Sequence, residues 1–362
     1  MEKQGVFYAV SVGPGDPELM TRQACRVLEA CGVIAAPRMK SGRMLALDIA
    51  GGAVDMQGKT ILPLDFTMAH DAAVREESYR TASGAIEAEL TAGRDVAMVN
   101  LGDVSVYATA YYILERVRSD GFETVMCPGV TSFCAVAARL GRSLTRMEEP
   151  LHILPGSMDM DSALTLEGTK VLMKSGRMLA LDIAAGAVDM QGKAILPLDF
   201  TMARDAAVRE DSYRTAAAAI EAALAAGRDV AMVNLGDVSV YATAYYILER
   251  IRADGFETVM CPGVTSFCAV AARLGRSLTR MDEPLHILPG STDLNNALAL
   301  PGTKVVMKSG KAIHETAEAL KRHGLLANAG MVADCGLETE QVYTDLQQLP
   351  EEISYFATIV AD

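Results

Sequence analysis

The 362-residue chain has no tryptophan, few aromatic residues and no long apolar run. Phe, Trp and Tyr together make up 5% of the residues. No stretch reaches the roughly 18–20 consecutive apolar residues that a bilayer-spanning helix needs. The amino terminus lacks the basic start and apolar core of a secretion signal. We therefore expect a cytoplasmic protein with no membrane partner.

Positive charge is also in short supply. The chain carries 33 Lys and Arg against 46 Asp and Glu, a formal net charge of −13. Nucleic acids and membrane surfaces are polyanions, so this balance argues against both as general partners. A local basic pocket for an acidic small molecule is still compatible with it.

The seven cysteines do not have the spacing of a zinc site, because no two of them form a Cys-x-x-Cys pair. Cys127 and Cys134 recur as Cys261 and Cys268, so four of the seven come from a duplication. We expect reduced thiols and no metal centre.

What the chain does have is a long tandem repeat. Residues 41–174 and 175–308 align without a gap at an offset of 134 and differ at 18 positions. The stretch MKSGRMLALDIA occurs at 39–50 and again at 173–184, and MKSG returns at 307–310. Each copy of MKSG stands at a predicted strand-to-helix junction. The pattern indicates recombination between equivalent junctions, and removing one copy leaves about 228 residues, an ordinary two-domain length.

Apolar strand-like runs alternate with helix-period segments, which predicts an α/β architecture. The pattern resets near 146–150, which marks a domain boundary. A helix is expected after residue 41, with a break at the glycines Gly51 and Gly52. Another helix is expected over 105–121.

Three motifs follow predicted strands: SVGPGDPE at 11–18, NLGDVSVYATA at 100–110 and CPGVTSF at 127–133. Their glycines let backbone approach a ligand closely, and open α/β sheets bind ligands at the carboxyl ends of their strands. Each motif also has a purely structural alternative. The first could be a tight turn, while Asp103, Thr131 and Ser132 could cap helices.

Together with EPLHILPG, VVMKSGK and SYFATIVAD, these motifs resemble the tetrapyrrole (corrin and porphyrin) methylase family. The resemblance covers the whole chain once one 134-residue copy is discounted. It implies two α/β domains with S-adenosyl-L-methionine in the cleft between them, and a homodimer. Within the family the motifs look most like the members that methylate C20 of precorrin-2 or cobalt-factor II in corrin synthesis.

The resemblance also implies which residues form the site. The cofactor positions that match are Pro14, Leu101, Gly102, Asp103, Val106, Tyr107, Thr131, Ser132 and Met307. No catalytic acid, base or metal is expected, because an activated methyl group needs alignment more than proton transfer. The histidines His152 and His286 are expected to be structural.

The tetrapyrrole substrate implied by the resemblance carries many carboxylates, which basic side chains could bind. We hypothesise that the candidates are Arg38, Lys40, Arg43, Arg142 and Arg146. A solvated basic face is the alternative.

The motif GPGDP and the segment 311–362 each occur once, so the chain can build one full set of site residues. We expect an amino-terminal methylase domain at 1–148, a duplicated hybrid segment at 149–282 and a carboxy-terminal methylase domain at 283–362. In this arrangement Met307 faces the first copy, and the two strands after residue 149 replace the missing first strands of the hybrid. Asp237, Thr265 and Ser266 of the hybrid would lack the GPGDP wall, so we expect weak or absent cofactor binding there.

An alternative arrangement has Met173 completing the site beside the first copy. The functional alternatives are methylation of another tetrapyrrole carbon, or an inactive protein that binds cofactor or tetrapyrrole.

Overall fold

The computed structural model describes the chain apart from residues 1–3, 40, 68–71, 147–148, 156–164, 174–205, 233, 235, 291–293, 308, 310–311, 338, 351–352 and 355. It contains two sheets with packed helices, and the predicted α/β class is confirmed. Among the described residues, no helix combines the length and the apolar character needed to cross a membrane.

The amino-terminal sheet has five parallel strands in the order β3-β2-β4-β1-β5. The strands are β1 (Phe7–Ser11), β2 (Val33–Arg38), β3 (Thr60–Asp65), β4 (Val96–Asn100) and β5 (Thr124–Cys127). The helices are α1 (Arg22–Ala30), α2 (Leu45–Ala53), α3 (Ala72–Thr91), α4 (Thr109–Ser119) and α5 (Ser132–Leu140), with a short 3-10 helix at Pro17–Leu19. The strand β1 therefore lies between β4 and β5 and is buried on both sides of the sheet.

The expected break at two glycines in α2 is wrong, because the helix continues from Leu45 to Ala53. A Cβ atom added to Gly52 would lie 2.5 Å from Cγ of Pro17. The glycine thus serves close packing of α2 against the 3-10 helix and does not interrupt the helix.

The carboxy-terminal sheet has seven strands in the order β11-β10-β12-β9-β8-β6-β7. The strands are β6 (Leu151–Pro155), β7 (Thr169–Met173), β8 (Leu285–Pro289), β9 (Thr303–Met307), β10 (Ala329–Ala333), β11 (Gln341–Tyr343) and β12 (Ala357–Ala361). The remaining helices are α6 (Ala206–Ala225), α7 (Thr243–Ala253), α8 (Ser266–Leu274), α9 (Leu294–Leu298) and α10 (Ile313–Arg322), with a 3-10 helix at Leu326–Asn328.

The sequence suggested that β6 and β7 replace the missing strands of the second copy, and this prediction is wrong. They form a parallel pair that joins the carboxy-terminal sheet, with β6 antiparallel to its own repeat β8. Both strands have the sequence LHILP and are fully buried, so each offers the other an identical apolar surface.

The second copy lacks a sheet of its own in the described part of the chain. Residues 230–232 and 258–261 repeat the sequences of β4 and β5, yet neither segment forms a strand. In the first copy both strands pair with β1, whose sequence occurs once. The side chain of Val259 is therefore 76% exposed, and Ala231 and Cys261 are exposed as well.

The two copies contact each other through reciprocal pairs of bonds, which gives the chain an internal pseudo-twofold axis. Backbone N–H of Leu144 donates to the carbonyl of Ser239, and that of Leu278 donates to the carbonyl of Ser105, each at 2.8 Å. At the axis, Nδ1 of His152 lies 2.7 Å from Nδ1 of His286. One chain thus contains a symmetric contact between two copies of the same surface.

The histidine pair makes folding sensitive to acid. The Nε2 atoms of His152 and His286 lie 2.8 and 2.9 Å from the carbonyls of Glu167 and Pro301. Carbonyls accept only, so each Nε2 carries a hydrogen and the two Nδ1 atoms can share at most one proton. Burial, followed by the charge of His152, lowers the pKa of His286 from 6.5 to about 4, and Lys304 acts in the same direction.

We therefore expect the free energy of unfolding to fall as the pH drops from about 6.5 to about 4. In this window the unfolded chain binds more protons than the folded one, so acid favours unfolding. Urea titrations at several pH values measure the effect. The double variant His152→Gln, His286→Gln should lose this part of the pH dependence. If its free energy of unfolding fell with pH as steeply as that of the wild type, the histidine pair would not be the cause.

Candidate functional site

The glycine-rich loop after β1 is held against the loop after β4. The N–H of Gly102 donates to the carbonyl of Gly13 at 2.7 Å, and the N–H of Val104 donates to Oγ of Ser11 at 2.9 Å. A Cβ atom on Gly129 would lie 2.4 Å from Cβ of Ser11, so the loop after β5 needs a glycine there. The three motifs predicted from the sequence therefore meet at one edge of the sheet.

The carboxylate of Asp103 organises these loops from a buried position. Its Oδ2 accepts the N–H of Gly129 at 2.7 Å, and its Oδ1 accepts the N–H of Ser105 at 2.8 Å and the Ser105 hydroxyl. Burial raises the pKa of Asp103, and the bonds from Ser105 and Gly129 oppose that rise. Asp103 does not cap α4, because the helix begins at Thr109 and not at 105 as expected.

The delayed start of α4 follows from a left-handed residue. Tyr107 has φ of 49°, and its repeat Tyr241 has the same value, an unusual conformation for a bulky side chain. The N–H of Tyr107 donates to Oγ1 of Thr279 at 2.5 Å, and the N–H of Tyr241 donates to Oγ1 of Thr145 at 2.6 Å. Each copy thus holds the strained tyrosine of the other.

Replacing Thr279 by valine should destabilise the protein by about 1–3 kcal/mol, because it leaves the N–H of Tyr107 without its acceptor. The matched variant Thr145→Val removes the equivalent bond to Tyr241 and should have a similar effect. Thermal or urea unfolding measures both. A loss of stability in one variant and none in the other would show that the two threonine–tyrosine bonds do not contribute equally.

Thr131 is the N-cap residue of α5 by position, but its side chain makes no capping bond. Its Oγ1 is buried and has no hydrogen-bond partner among the described residues. Unpartnered buried hydroxyls are uncommon and call for an explanation such as a ligand. Its repeat Thr265 does cap α8, accepting the N–H of Cys268 at 3.4 Å.

A cavity of about 550 Å3 lies beside the second copy. Six of the predicted cofactor positions have second-copy counterparts that line it. These are Gly236, Asp237, Val240, Tyr241, Thr265 and Ser266, and Met307 lines the same cavity. Met307 and these second-copy counterparts therefore line one concave site between the second copy and the carboxy-terminal sheet, whereas the predicted first-copy residues do not line it.

The position of Met307 differs from the sequence expectation, which paired it with the first copy. Met307 ends β9, and β9 belongs to the half of the sheet that faces the second copy. Tyr107 Oη donates to the carbonyl of Glu283, just before β8, at 2.9 Å and lies 3.4 Å from that of Ile153 in β6. Tyr241 Oη donates to the carbonyl of Glu149, just before β6, at 2.8 Å and lies 3.3 Å from that of Ile287 in β8.

Comparison with known proteins identifies the class of protein to which this architecture belongs. A family model of the tetrapyrrole (corrin/porphyrin) methylases matches residues 6–185 and again residues 164–350. The chain belongs to this family. The two overlapping matches reproduce the tandem duplication.

Curated relatives are about a third identical to this methylase over roughly half of its length. The cobalt-precorrin-2 C(20)-methyltransferase of Salmonella typhimurium is 32% identical over 204 residues, covering 53% of this chain and 85% of the relative. A probable cobalt-precorrin-2 C(20)-methyltransferase of Methanocaldococcus jannaschii is 32% identical over 169 residues, covering 46% of this chain and 71% of the relative. Members of the family use S-adenosyl-L-methionine, which confirms the predicted cofactor.

Among solved structures, the cobalt precorrin-4 methyltransferase matches with a TM-score of 0.33 and 14% identity, covering 98% of this chain and 94% of that one. A uroporphyrin-III C-methyltransferase from Thermus thermophilus complexed with S-adenosylhomocysteine matches with a TM-score of 0.32 and 14% identity. The match covers 99% of this chain and 97% of that one.

Sequence reasoning missed several residues of the methylase cavity. They lie at the ends of carboxy-terminal strands and include Asp334, Cys335, Phe356 and Thr358. Ser309 is a further candidate, because it follows Met307 in MKSG and has a buried hydroxyl without a partner among the described residues. The sequence contained one signal that could have found these residues: VADCG and SYFAT both stand at the ends of predicted strands, where α/β proteins bind ligands.

The basic residues predicted for the substrate do not form one free cluster among the described residues. Arg38 makes a two-pronged ion pair with Asp65, at 2.9 and 2.5 Å, and Arg43 pairs with Asp48 at 2.7 Å. Arg142 is exposed after α5. Lys40 lies outside the described residues, and Arg146 is 3.3 Å from Glu249 of the second copy.

The remaining predicted cofactor positions lie in or beside the amino-terminal sheet. Pro14 is half-buried in the loop after β1, and Leu101 is 45% exposed beside Gly102. Val106 is buried in the core cluster that also contains Val240 and Met307. Ser132 opens α5 next to Thr131. The two copies therefore share a central core while presenting separate sites.

Proposed function

We propose that the chain is an S-adenosylmethionine-dependent C-methyltransferase that acts at C20 of precorrin-2 or cobalt-factor II. The observation that carries the proposal is the cavity in which Met307 and six second-copy residues of the predicted cofactor set come together. The C20-methyltransferases at 32% identity support the choice of substrate.

The residues present fit the cofactor. The cavity volume of about 550 Å3 is within the range for small-molecule sites, and its wall combines apolar side chains with a few polar groups. When bound, S-adenosylmethionine supplies a methyl group that is already activated for transfer.

The protein's own contribution is alignment and exclusion of water. Asp237 holds the loop at Gly263 through a 2.7 Å bond, as Asp103 does in the first copy, which fixes the backbone that lines the cavity. Val240 and Met307 are buried and apolar, so they exclude water from the reacting atoms. Ideal alignment is worth on the order of 7–11 kcal/mol, which this site can supply without a strong base for the methyl-transfer step itself.

The direct test incubates the full chain with methyl-labelled S-adenosylmethionine and either precorrin-2 or cobalt-factor II. Transfer of one labelled methyl to C20, located by carbon NMR, is the expected result. Transfer to a different carbon would establish the related alternative, a methylase for another tetrapyrrole position.

A second candidate is an inactive protein that binds the cofactor or a tetrapyrrole. It is favoured by the division of the site, because GPGDP follows β1 in the amino-terminal sheet and Met307 faces the second copy. Binding of S-adenosylmethionine by calorimetry without methyl transfer to either substrate would establish it. Absence of binding would exclude both functions.

Substrate recognition by Arg38 also belongs to this proposal. Reversing its charge in Arg38→Glu should weaken tetrapyrrole binding about tenfold, near 1.4 kcal/mol, because a carboxylate contact becomes repulsive. Arg80→Glu is the matched control, since Arg80 is likewise an exposed arginine paired with a carboxylate, Glu77. Equal affinities of the two variants, measured by absorbance titration, would remove Arg38 from the substrate site.

A further inference from the structure

One wall of the cavity is a loop of the second copy, and we propose that Thr145 of the first copy positions this loop for S-adenosylmethionine. The cavity loop comprises residues 236–241, and Gly236, Asp237, Val240 and Tyr241 line the cavity. Thr145 is not part of the cavity wall, so its role is positioning and not direct binding. The inference rests on the proposed function and adds a role for the contact between the two copies.

Several hydrogen bonds from the first copy end on the cavity loop. The N–H of Leu144 donates to the carbonyl of Ser239 at 2.8 Å. Oγ1 of Thr145 accepts the N–H of Tyr241 at 2.6 Å, and Tyr241 Oη donates to the carbonyl of Glu149 at 2.8 Å. Thr145 and Ser239 are both buried, so water has little access to replace the bonds that they make.

Tyr241 needs this support because its backbone is strained. Its φ of 49° lies in the left-handed region, which a bulky side chain keeps only when its surroundings hold it there. Without the hydroxyl of Thr145, the N–H of Tyr241 would lose its acceptor in this conformation. We expect the tyrosine then to return to negative φ, which moves the backbone of Val240 and Tyr241 out of the cavity wall.

The beginning of the cavity loop is fixed from within the second copy. Oδ2 of Asp237 accepts the N–H of Gly263 at 2.7 Å, and this bond does not involve the first copy. The end that carries Val240 and Tyr241 is the part that receives the bond from Thr145. Loss of that bond should therefore displace one end of the loop and leave Asp237 in place.

The pseudo-twofold axis supplies an internal comparison. On the other side of the axis, Oγ1 of Thr279 accepts the N–H of Tyr107 at 2.5 Å, and Tyr107 also has φ of 49°. The two loops differ in what they face, because Tyr241 lines the cavity together with Met307 and Tyr107 is not part of that wall. A contact that is symmetric in structure thus supports the cofactor site on one side of the axis.

Isothermal titration calorimetry of the full chain with S-adenosylmethionine tests the proposal. Thr145→Val should weaken binding about tenfold, because only a fraction of the folded molecules then presents the cavity loop in its binding form. Thr279→Val is the matched control, since it removes the equivalent bond from a loop outside the cavity. This variant should bind within about twofold of the wild type, and so should Thr145→Ser, which keeps the acceptor oxygen.

Hydrogen exchange of the wild-type chain gives a second readout that does not depend on how the variants fold. Saturating S-adenosylmethionine should slow amide exchange in peptides that cover residues 143–146 and 237–241, because the bound cofactor stabilises the loop against local opening. Peptides that cover residues 103–107 and 277–280 should exchange as they do in the free protein. If a valine variant fails to fold, this measurement alone decides.

The outcomes separate this inference from the proposed function. Absence of S-adenosylmethionine binding by the wild-type chain would reject the proposed function, and the inference with it. Binding by the wild type with equal affinities of the two valine variants would overturn the role of Thr145 alone. Protection confined to residues 103–107 would do the same, because it would place the cofactor beside the first copy.

Discussion

Replacing Ala97 by aspartate should lower the free energy of unfolding by at least about 3 kcal/mol, while Ala231→Asp should change it by less than about 0.5 kcal/mol. The two alanines are the same residue of the repeat. Ala97 is fully buried in β4 next to β1, whereas Ala231 is exposed. A carboxylate at position 97 would lose its water without gaining a partner, and one at position 231 would remain hydrated.

Urea unfolding followed by far-ultraviolet circular dichroism measures this pair of variants. Several structural units unfold in this chain, so the comparison should use the transition midpoints of both variants under identical conditions. Equal destabilisation by the two substitutions would show that the second copy has a buried strand at 230–232.

Met307→Arg should weaken S-adenosylmethionine binding at least 100-fold, about 2.7 kcal/mol. Met307 is 8% exposed and lines the cavity together with Asp237, Val240 and Thr265. A guanidinium there occupies the space of the ligand and repels the positive sulfonium. Isothermal titration calorimetry measures the loss.

The conservative variant Met307→Leu controls for folding, because it keeps the volume and apolar character of the side chain. It should bind within a few-fold of the wild type. Circular dichroism should show that Met307→Arg retains its secondary structure. A folded Met307→Arg protein with unchanged affinity would place the cofactor elsewhere, and the first copy with its free Thr131 hydroxyl would then be the site to test.

Local sequence patterns were sufficient for most single elements. The strands β1 to β5 and the helices that follow them agree with the runs of apolar residues, because strand and helix periodicity depend on neighbouring residues. The start of α4 was missed because Tyr107 adopts a left-handed conformation that Thr279 of the other copy holds. The continuity of α2 was missed because Gly52 serves a contact with Pro17.

Some features of this protein therefore depend on residues that are neighbours in the sequence, and others on contacts between distant segments. The α/β class, the repeat, the three strand-end motifs and the resemblance to the tetrapyrrole methylases could be read from residues close together in the chain. The contact of Met307 with the second-copy cavity and the pairing of β6 with β8 became clear from the three-dimensional structure. It also decided that residues 230–232 and 258–261, although identical in sequence to buried strands, form no strand in the described part of the chain. The physical reason is that a strand is completed by its neighbours, and the duplication copied β4 and β5 without copying β1 between them.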